Sequence, residues 1–293
     1  MFRTTICFAA LAAAGAQGAA AAEPATVLPA SSSWHLDYAE QSCRLARTFG
    51  EGEGRSVVFF TQHGPGDSFE LTLAGEPLDR FSPNVAIQFG PIGGTWKIRP
   101  FRGDVEGVGP ALIYSGLDLA EEQDEEEAEE DVAEARDSLP AIDIQRAKEM
   151  DYIEVSQGRR RVRFATGTLD KPFAALNACS VDLIAEWGLD ADRHRSLTRI
   201  VDPTNMKLIA SRVGRDYPAA ALRKGEQGII RALLIVGADG RVERCTLDNA
   251  TNSETLPAPA CRVLEDAVFE PALDSQGQPM RSFYITKIVY KMG

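Results

Sequence analysis

Three histidines, five cysteines and one dense run of carboxylates are the side chains here with the widest chemical range. A protein metal site needs His, Cys, Asp or Glu at ligand spacing. His35, His63 and His194 hold no such spacing with one another or with a cysteine, and no two cysteines form a CxxC pair. No metal, no cofactor and no thioredoxin-like redox centre is therefore expected. The nearest thing to an acid–base pair is His63 with Asp67 in the loop TQHGPGD, and its expected role is that of a surface-loop histidine. No GxSxG elbow, P-loop or GxGxxG element is present. The carboxylates crowd into residues 121–137, EEQDEEEAEEDVAEARD, with eleven acids and one arginine. Repulsion and solvation there oppose a tuned catalytic pair, so no catalytic residue is expected.

The cysteines take their meaning from the N-terminus. Arg3 is the only charge before Glu23, and an uncharged, alanine-rich run from Ile6 ends in Ala20-Ala21-Ala22. This is the pattern of a signal peptide, with cleavage expected near Ala22. As a retained anchor the run is short, with Gly15, Gln17 and Gly18 inside it, against the ~20 apolar residues of a span. No stable membrane span is expected after cleavage. Export leaves Cys43, Cys179, Cys245 and Cys261, an even number in an oxidising compartment, which reads as two disulfides.

The formal net charge is −12, of which the acidic run supplies about −10. The rest of the chain is nearly neutral, which excludes nucleic acid as a partner, because phosphate binding needs a basic surface. The run itself reads as a solvated insertion. Arg159, Arg160, Arg161 and Arg163 read as a solvated hairpin end, with the insertion as their other possible partner.

These residues require elements to place them. Residues 1–22 are the signal peptide and 23–33 a flexible lead. A β-rich first domain is expected over 34–190, interrupted by the insertion 121–137. Its strands fall at 56–61, 68–74, 84–89, 95–101, 111–115, 152–156 and 161–165. Phe69, Leu71 and Leu73 alternate with Glu70 and Thr72, the period of a half-buried strand. A helix over 170–187 closes the domain, with Asp170 as N-cap, Pro172 in the first turn and Gly188 as the stop. A linker over 191–215 holds a helix opened by Asp202-Pro203 and ended by Gly214, with Met206, Ile209 and Val213 on one stripe.

From 216 to 293 the order is helix, hairpin, helix, strand. Tyr217-Pro218 starts the first helix, Gly228 opens a strand, Asp239-Gly240 turns the hairpin, and Pro259 starts a helix over 258–269. Phe269-x-Pro271-Ala272 and Gly277-x-Pro279 precede an alternating last strand. In this order and spacing, residues 216–293 resemble the C-terminal domain of the TonB energy-transducer family. The resemblance implies a small α+β domain with helices on one face of an antiparallel sheet. The first domain, read from its strands as β-rich and sandwich-like, resembles no named family, and the whole chain is expected to be α+β. The resemblance also implies a Gram-negative-type envelope, a periplasmic location and a link to transmembrane transport. Its implied partner is a protein, in the family the extended peptide of an outer-membrane receptor, added as a strand beside the last one. The matching residues are Arg281, Ser282, Phe283, Tyr284, Ile285, Thr286, Lys287, Ile288, Val289 and Tyr290. The family's proline-rich spacer and motor-coupling anchor have no counterpart, so a binding end without force transmission is expected. The expected function is a non-enzymatic periplasmic adaptor; the alternative is an enzyme with its site in the first domain and the last domain used for recruitment. The fold can also be reused without receptor binding. Oligomeric state is left open.

Two further expectations concern packing. Cys245 on the hairpin's return strand faces the helix that carries Cys261, so these two should pair, leaving Cys43 for Cys179. On the hairpin's first strand Ile230, Ala232, Leu234 and Val236 share one face and Ile229, Leu233 and Ile235 the other, where Arg231 is the one polar residue. Both faces should be covered. The candidates for the second are the first domain, the linker helix and another copy of the chain, and the linker helix, nearest in sequence, is favoured.

Overall fold

The computed structural model describes residues 24–81, 84–119, 138–215, 219–226, 228–249 and 260–290. The signal segment, the acidic insertion 121–137, Tyr217-Pro218 and Pro259 lie outside them. Among the described residues, no helix is long and apolar enough to cross a membrane.

The fold is mixed α+β. The first strands are β1 (Thr26–Pro29), β2 (His35–Ala39), β3 (Ser42–Phe49), β4 (Ser56–Gln62), β5 (Phe69–Gly75) and β6 (Ala86–Pro91). There follow β7 (Thr95–Trp96), β8 (Phe101–Val105), β9 (Gly109–Leu117), helix α1 (Ile144–Lys148), β10 (Met150–Gln157), β11 (Arg160–Ala165), α2 (Asp170–Glu186) and α3 (Ala191–Arg195). They build a six-stranded sheet, β2-β3-β4-β5-β9-β8, and a five-stranded sheet, β1-β11-β10-β6-β7. Alternation works as the sequence implies: on β5, Phe69, Leu71 and Leu73 are buried while Glu70 and Thr72 are less so. The sheets meet through aromatic edges, Phe49 on Phe164 at 5.5 Å and Phe69 on Phe89 at 5.7 Å, and Phe173 of α2 enters the same core against Phe60 at 4.8 Å. Cys43 of β3 is bonded to Cys179 of α2, with Cα atoms 6.1 Å apart.

Several local expectations are corrected. Within the lead read as flexible, Thr26–Pro29 form β1, parallel to β11. Strands β2 and β3 carried no expectation. The single strand expected over 95–101 is two, β7 and β8, in different sheets. Pro100, which has no N–H for a ladder, stands between them. Asp170 is the first helical residue of α2 and Leu169 its N-cap, without a side-chain cap bond. The arginines of the β10–β11 hairpin are structural. Arg163 meets Glu154 at 2.7 Å and lies 3.8 Å over the Tyr152 ring, and Arg160 donates to the Arg80 carbonyl at 2.7 Å.

Beyond α3 the chain forms β12 (Asp202–Pro203), α4 (Met206–Arg215), α5 (Ala219–Lys224), β13 (Gly228–Val236), β14 (Val242–Asn249) and α6 (Ala260–Leu264). It ends in β15 (Phe269–Glu270), β16 (Ala272–Leu273), β17 (Pro279–Met280) and β18 (Ser282–Tyr290). Asp202-Pro203 thus pairs with β15 instead of opening the linker helix, which starts at Met206. α6 is shorter than expected, because Phe269 leaves it for the pairing with Pro203. Gly240 turns the hairpin with φ +77°, and a side chain there would strike the Phe269 carbonyl, so glycine is required twice over. Cys245 of β14 is bonded to Cys261 of α6, with Cα atoms 5.7 Å apart.

The central strand β13 is buried at every residue, between β14 and β18 in an antiparallel sheet. Ile230, Ala232, Leu234 and Val236 pack with Ile209 and Val213 of α4 and with Val263 and Leu264 of α6. The linker helix therefore lies on the same face as α6, not on the second face as favoured. Leu233 and Ile235 join the core of the first domain, with Phe283 and Ile285 of β18 beside them. The physical reason is area: a helix has one apolar stripe, already spent on the first face, whereas the first domain presents a broad surface.

Candidate functional site

β18 pairs with β13 on one side, from Gly228↔Tyr290 to Val236↔Ser282. Among the described residues no strand pairs with its other side. A row of backbone N–H and C=O groups is thereby left open to a further strand.

That edge lies in a groove. A cavity of 860 Å³ is bordered by Ser282, Phe283, Tyr284 and Ile285, and one of 370 Å³ by Thr286, Lys287, Ile288, Val289 and Tyr290. Successive side chains of a strand point to opposite faces. A space bordered by consecutive residues therefore lies beside the strand, and β13 fills the other side. All nine residues of β18 border one cavity or the other, so the groove follows the free edge from end to end.

Its walls come from elsewhere in the chain. The linker supplies Ile200, Val201, Met206 and Leu208, and the first domain Pro65, Leu139 and Pro140. α4 supplies Ile209, Ala210 and Val213 at the far end. Leu208 and Val289 are 58% and 43% exposed. Sequence reading found the strand but none of these walls. The one signal for them was the stripe of α4.

Other side chains fix the strand in place. Arg281, just before β18, meets Glu243 at 2.5 Å and donates to the Gly188 carbonyl at 3.2 Å. His194, fully buried, contacts the Asp190 carbonyl through Nδ1 at 2.6 Å and the Ser282 hydroxyl through Nε2 at 3.0 Å; burial lowers its pKa. Phe283 packs on Trp187 with ring centroids 4.9 Å apart. Lys287 donates to the Ser115 carbonyl at 3.0 Å, and Arg231, the polar residue on the second face of β13, pairs with Glu70 of β5. The last domain is thus docked on the first through the face of the sheet, which leaves the edge clear.

A polar cleft does exist around His63. It measures 350 Å³ and lies between the two domains, with Thr61, Ser68, Glu70, Arg231 and Lys287 around it. The carboxylate that His63 meets is Asp248, 3.5 Å from Nδ1, not Asp67. Burial, then Arg231 and Arg44, push the His63 pKa down to about 2. Neither ring nitrogen has a hydrogen-bonding partner among the described residues. A general base works best with a pKa near the working pH and a nucleophile in reach. Its lowered pKa keeps His63 neutral and makes it a weak base, while the Thr61 and Ser68 hydroxyls line the same cleft. Among the described residues, no group of three or more His, Cys, Asp or Glu side chains is arranged to hold a metal ion.

Residues 213–292 match the family of the Gram-negative bacterial TonB protein C-terminal. The terminal domain, with α4 at its border and β18 at its end, is therefore what the sequence resembled. Domains of this family interact with proteins in the Gram-negative envelope. No curated protein matches the chain.

Proposed function

We propose that this protein is a non-enzymatic periplasmic adaptor that takes up an extended segment of a partner protein as a fourth strand beside β18. The observation that carries the reading is the groove along the edge of β18 that no strand among the described residues pairs with. Strand addition needs just this: an open backbone row for affinity and pockets beside it for side chains. A receptor peptide of the outer membrane, as in the TonB family, is the proposed occupant class. The terminal domain sits on a folded partner domain instead of a spacer, which suits capture better than the transmission of force. The N-terminal segment acts as a signal peptide in this reading, so the mature chain should begin near Glu23 on N-terminal sequencing.

The test is photocrosslinking in intact cells from position 289, replaced by a photoreactive residue. Capture through one defined extended segment of another protein is expected there, and not from position 38 on the edge strand β2, where Tyr38 is also exposed. Equal capture at both positions, or none at 289, contradicts the proposal. The cleft at His63 keeps one enzymatic reading open, with the terminal domain as recruiter. In that reading His63→Ala should abolish turnover of a bound small molecule; in ours it leaves capture at 289 unchanged.

A further inference from the structure

The two ends of the groove differ. At the end bordered by Ser282 to Ile285, apolar walls rise on both faces of the sheet. Val201 and Met206 pack with the cluster that holds Tyr284, on the helix face. Leu139 packs with the cluster that holds Phe283 and Ile285, on the first-domain face, and Pro65 lies beside it. Asp202 and Lys207, of opposite sign, are the charged side chains at this end. At the other end only one wall is built. Met206, Ile209 and Val213 line the helix face, while on the opposite face Lys287 reaches back to the Ser115 carbonyl and Val289 is exposed to water.

A strand added to β18 would send alternate side chains to the same two faces. At the two-walled end, neighbouring side chains would both be enclosed. At the one-walled end, only every second one would be. The larger cavity, about 860 Å³, falls in the ~300–1,000 Å³ range of ligand-sized clefts. Its lining is mostly apolar, with Asp202 and Lys207 as the charged side chains an incoming charge would meet.

Resting on the strand-addition reading, we infer that the first domain and the linker form a specificity pocket for an extended peptide carrying two or more adjacent bulky apolar residues. These residues lie opposite Ser282 to Ile285. Beyond them the peptide alternates, apolar toward α4 and polar on the opposite face. The walls at Pro65, Leu139, Pro140 and Leu208 lie outside the matched residues 213–292. Choice of partner is thus a property of this chain's own first domain and linker, and that gives the first domain a role in binding.

The test selects random nine-residue peptides displayed on phage against the full mature chain. Synthetic copies of the enriched peptides are then titrated by fluorescence anisotropy. Enriched sequences should hold an adjacent apolar pair. Leu208→Asp and Leu139→Asp should each weaken binding at least tenfold. Val27→Asp, on β1 and 54% exposed against 58% for Leu208, should not change it. Peptides that protect β18 amides yet lack an apolar pair, or that tolerate both wall variants within twofold, overturn the pocket alone. If no peptide is enriched, or none protects β18, the pocket and the strand-addition reading fall together. A concentration-dependent dimer that shields β18 without peptide assigns the groove to a second copy and also overturns the inference.

Discussion

Glu70 and Arg231 show how single side chains join the two domains. Arg231 interrupts an apolar face of β13, and its guanidinium, about 8% exposed, is answered by Glu70 at 13%. Removing one partner of a buried pair strands the other charge, at a cost of ~3–5 kcal/mol, whereas an apolar replacement of both is often neutral. Glu70→Ala should therefore destabilise the chain by about 3 kcal/mol in urea titrations, and Arg231→Met added to it should recover most of the loss. His63 makes a second prediction. Its folded pKa lies near 2, below the ordinary ~6.5 of an unfolded chain. In the window between them the unfolded state holds the extra proton, so this contribution is complete above about pH 6.5 and is lost as pH falls below it. Between pH 7 and pH 5 the wild type should lose ~2 kcal/mol more than His63→Gln, read from denaturation midpoints at each pH. Equal losses would show that His63 is not held neutral by Arg231, Arg44 and burial.

At the scale of elements, β13 shows what the sequence could and could not reveal. Its apolar residues on both faces were visible as a pattern, and with them the need for two covers. The choice of cover was not visible, because proximity in sequence favoured α4 and nothing local reports the area offered by a remote domain. The same limit explains the groove. β18 was legible from alternation and from the TonB-like order, while its walls come from loops that only tertiary packing brings together. β12 and β15 were read as helix ends because two-residue strands have no period to detect. The disulfide pairings were accessible, since hairpin and helix placed Cys245 opposite Cys261 and one pair remained. Because both faces of β13 are enclosed, Ile235→Ala should cost ~2–5 kcal/mol, as much as Leu234→Ala on the helix face. A cost below 1 kcal/mol for Ile235→Ala would mean that the first domain does not pack there in solution.

For the molecule as a whole, the docked face and the free edge belong to one design. The first domain closes the second face of the terminal sheet, and so holds β18 open beside a shaped wall. Gly64 lies at the contact, where even a methyl group would overlap Ile285 and Trp187. Gly64→Ala should loosen this docking and lower the melting temperature, with faster amide exchange in both β4 and β18. The disulfides stabilise unequally, since Cys43–Cys179 closes 136 residues and Cys245–Cys261 closes 16. Chain entropy assigns about 5 and about 3 kcal/mol to these loops. Replacing the first pair by serine should therefore cost more than replacing the second.

The central claim, that a partner segment adds to β18, is tested most directly by amide hydrogen exchange across Ser282–Tyr290, with and without a bound peptide. Among the described residues β18 is paired on one side, so about half of its amides point into the groove. On peptide binding these outward amides, at alternate positions, should slow at least tenfold while those bonded to β13 change little. Protection that appears elsewhere, or an unchanged β18 in a saturated complex, would contradict the account.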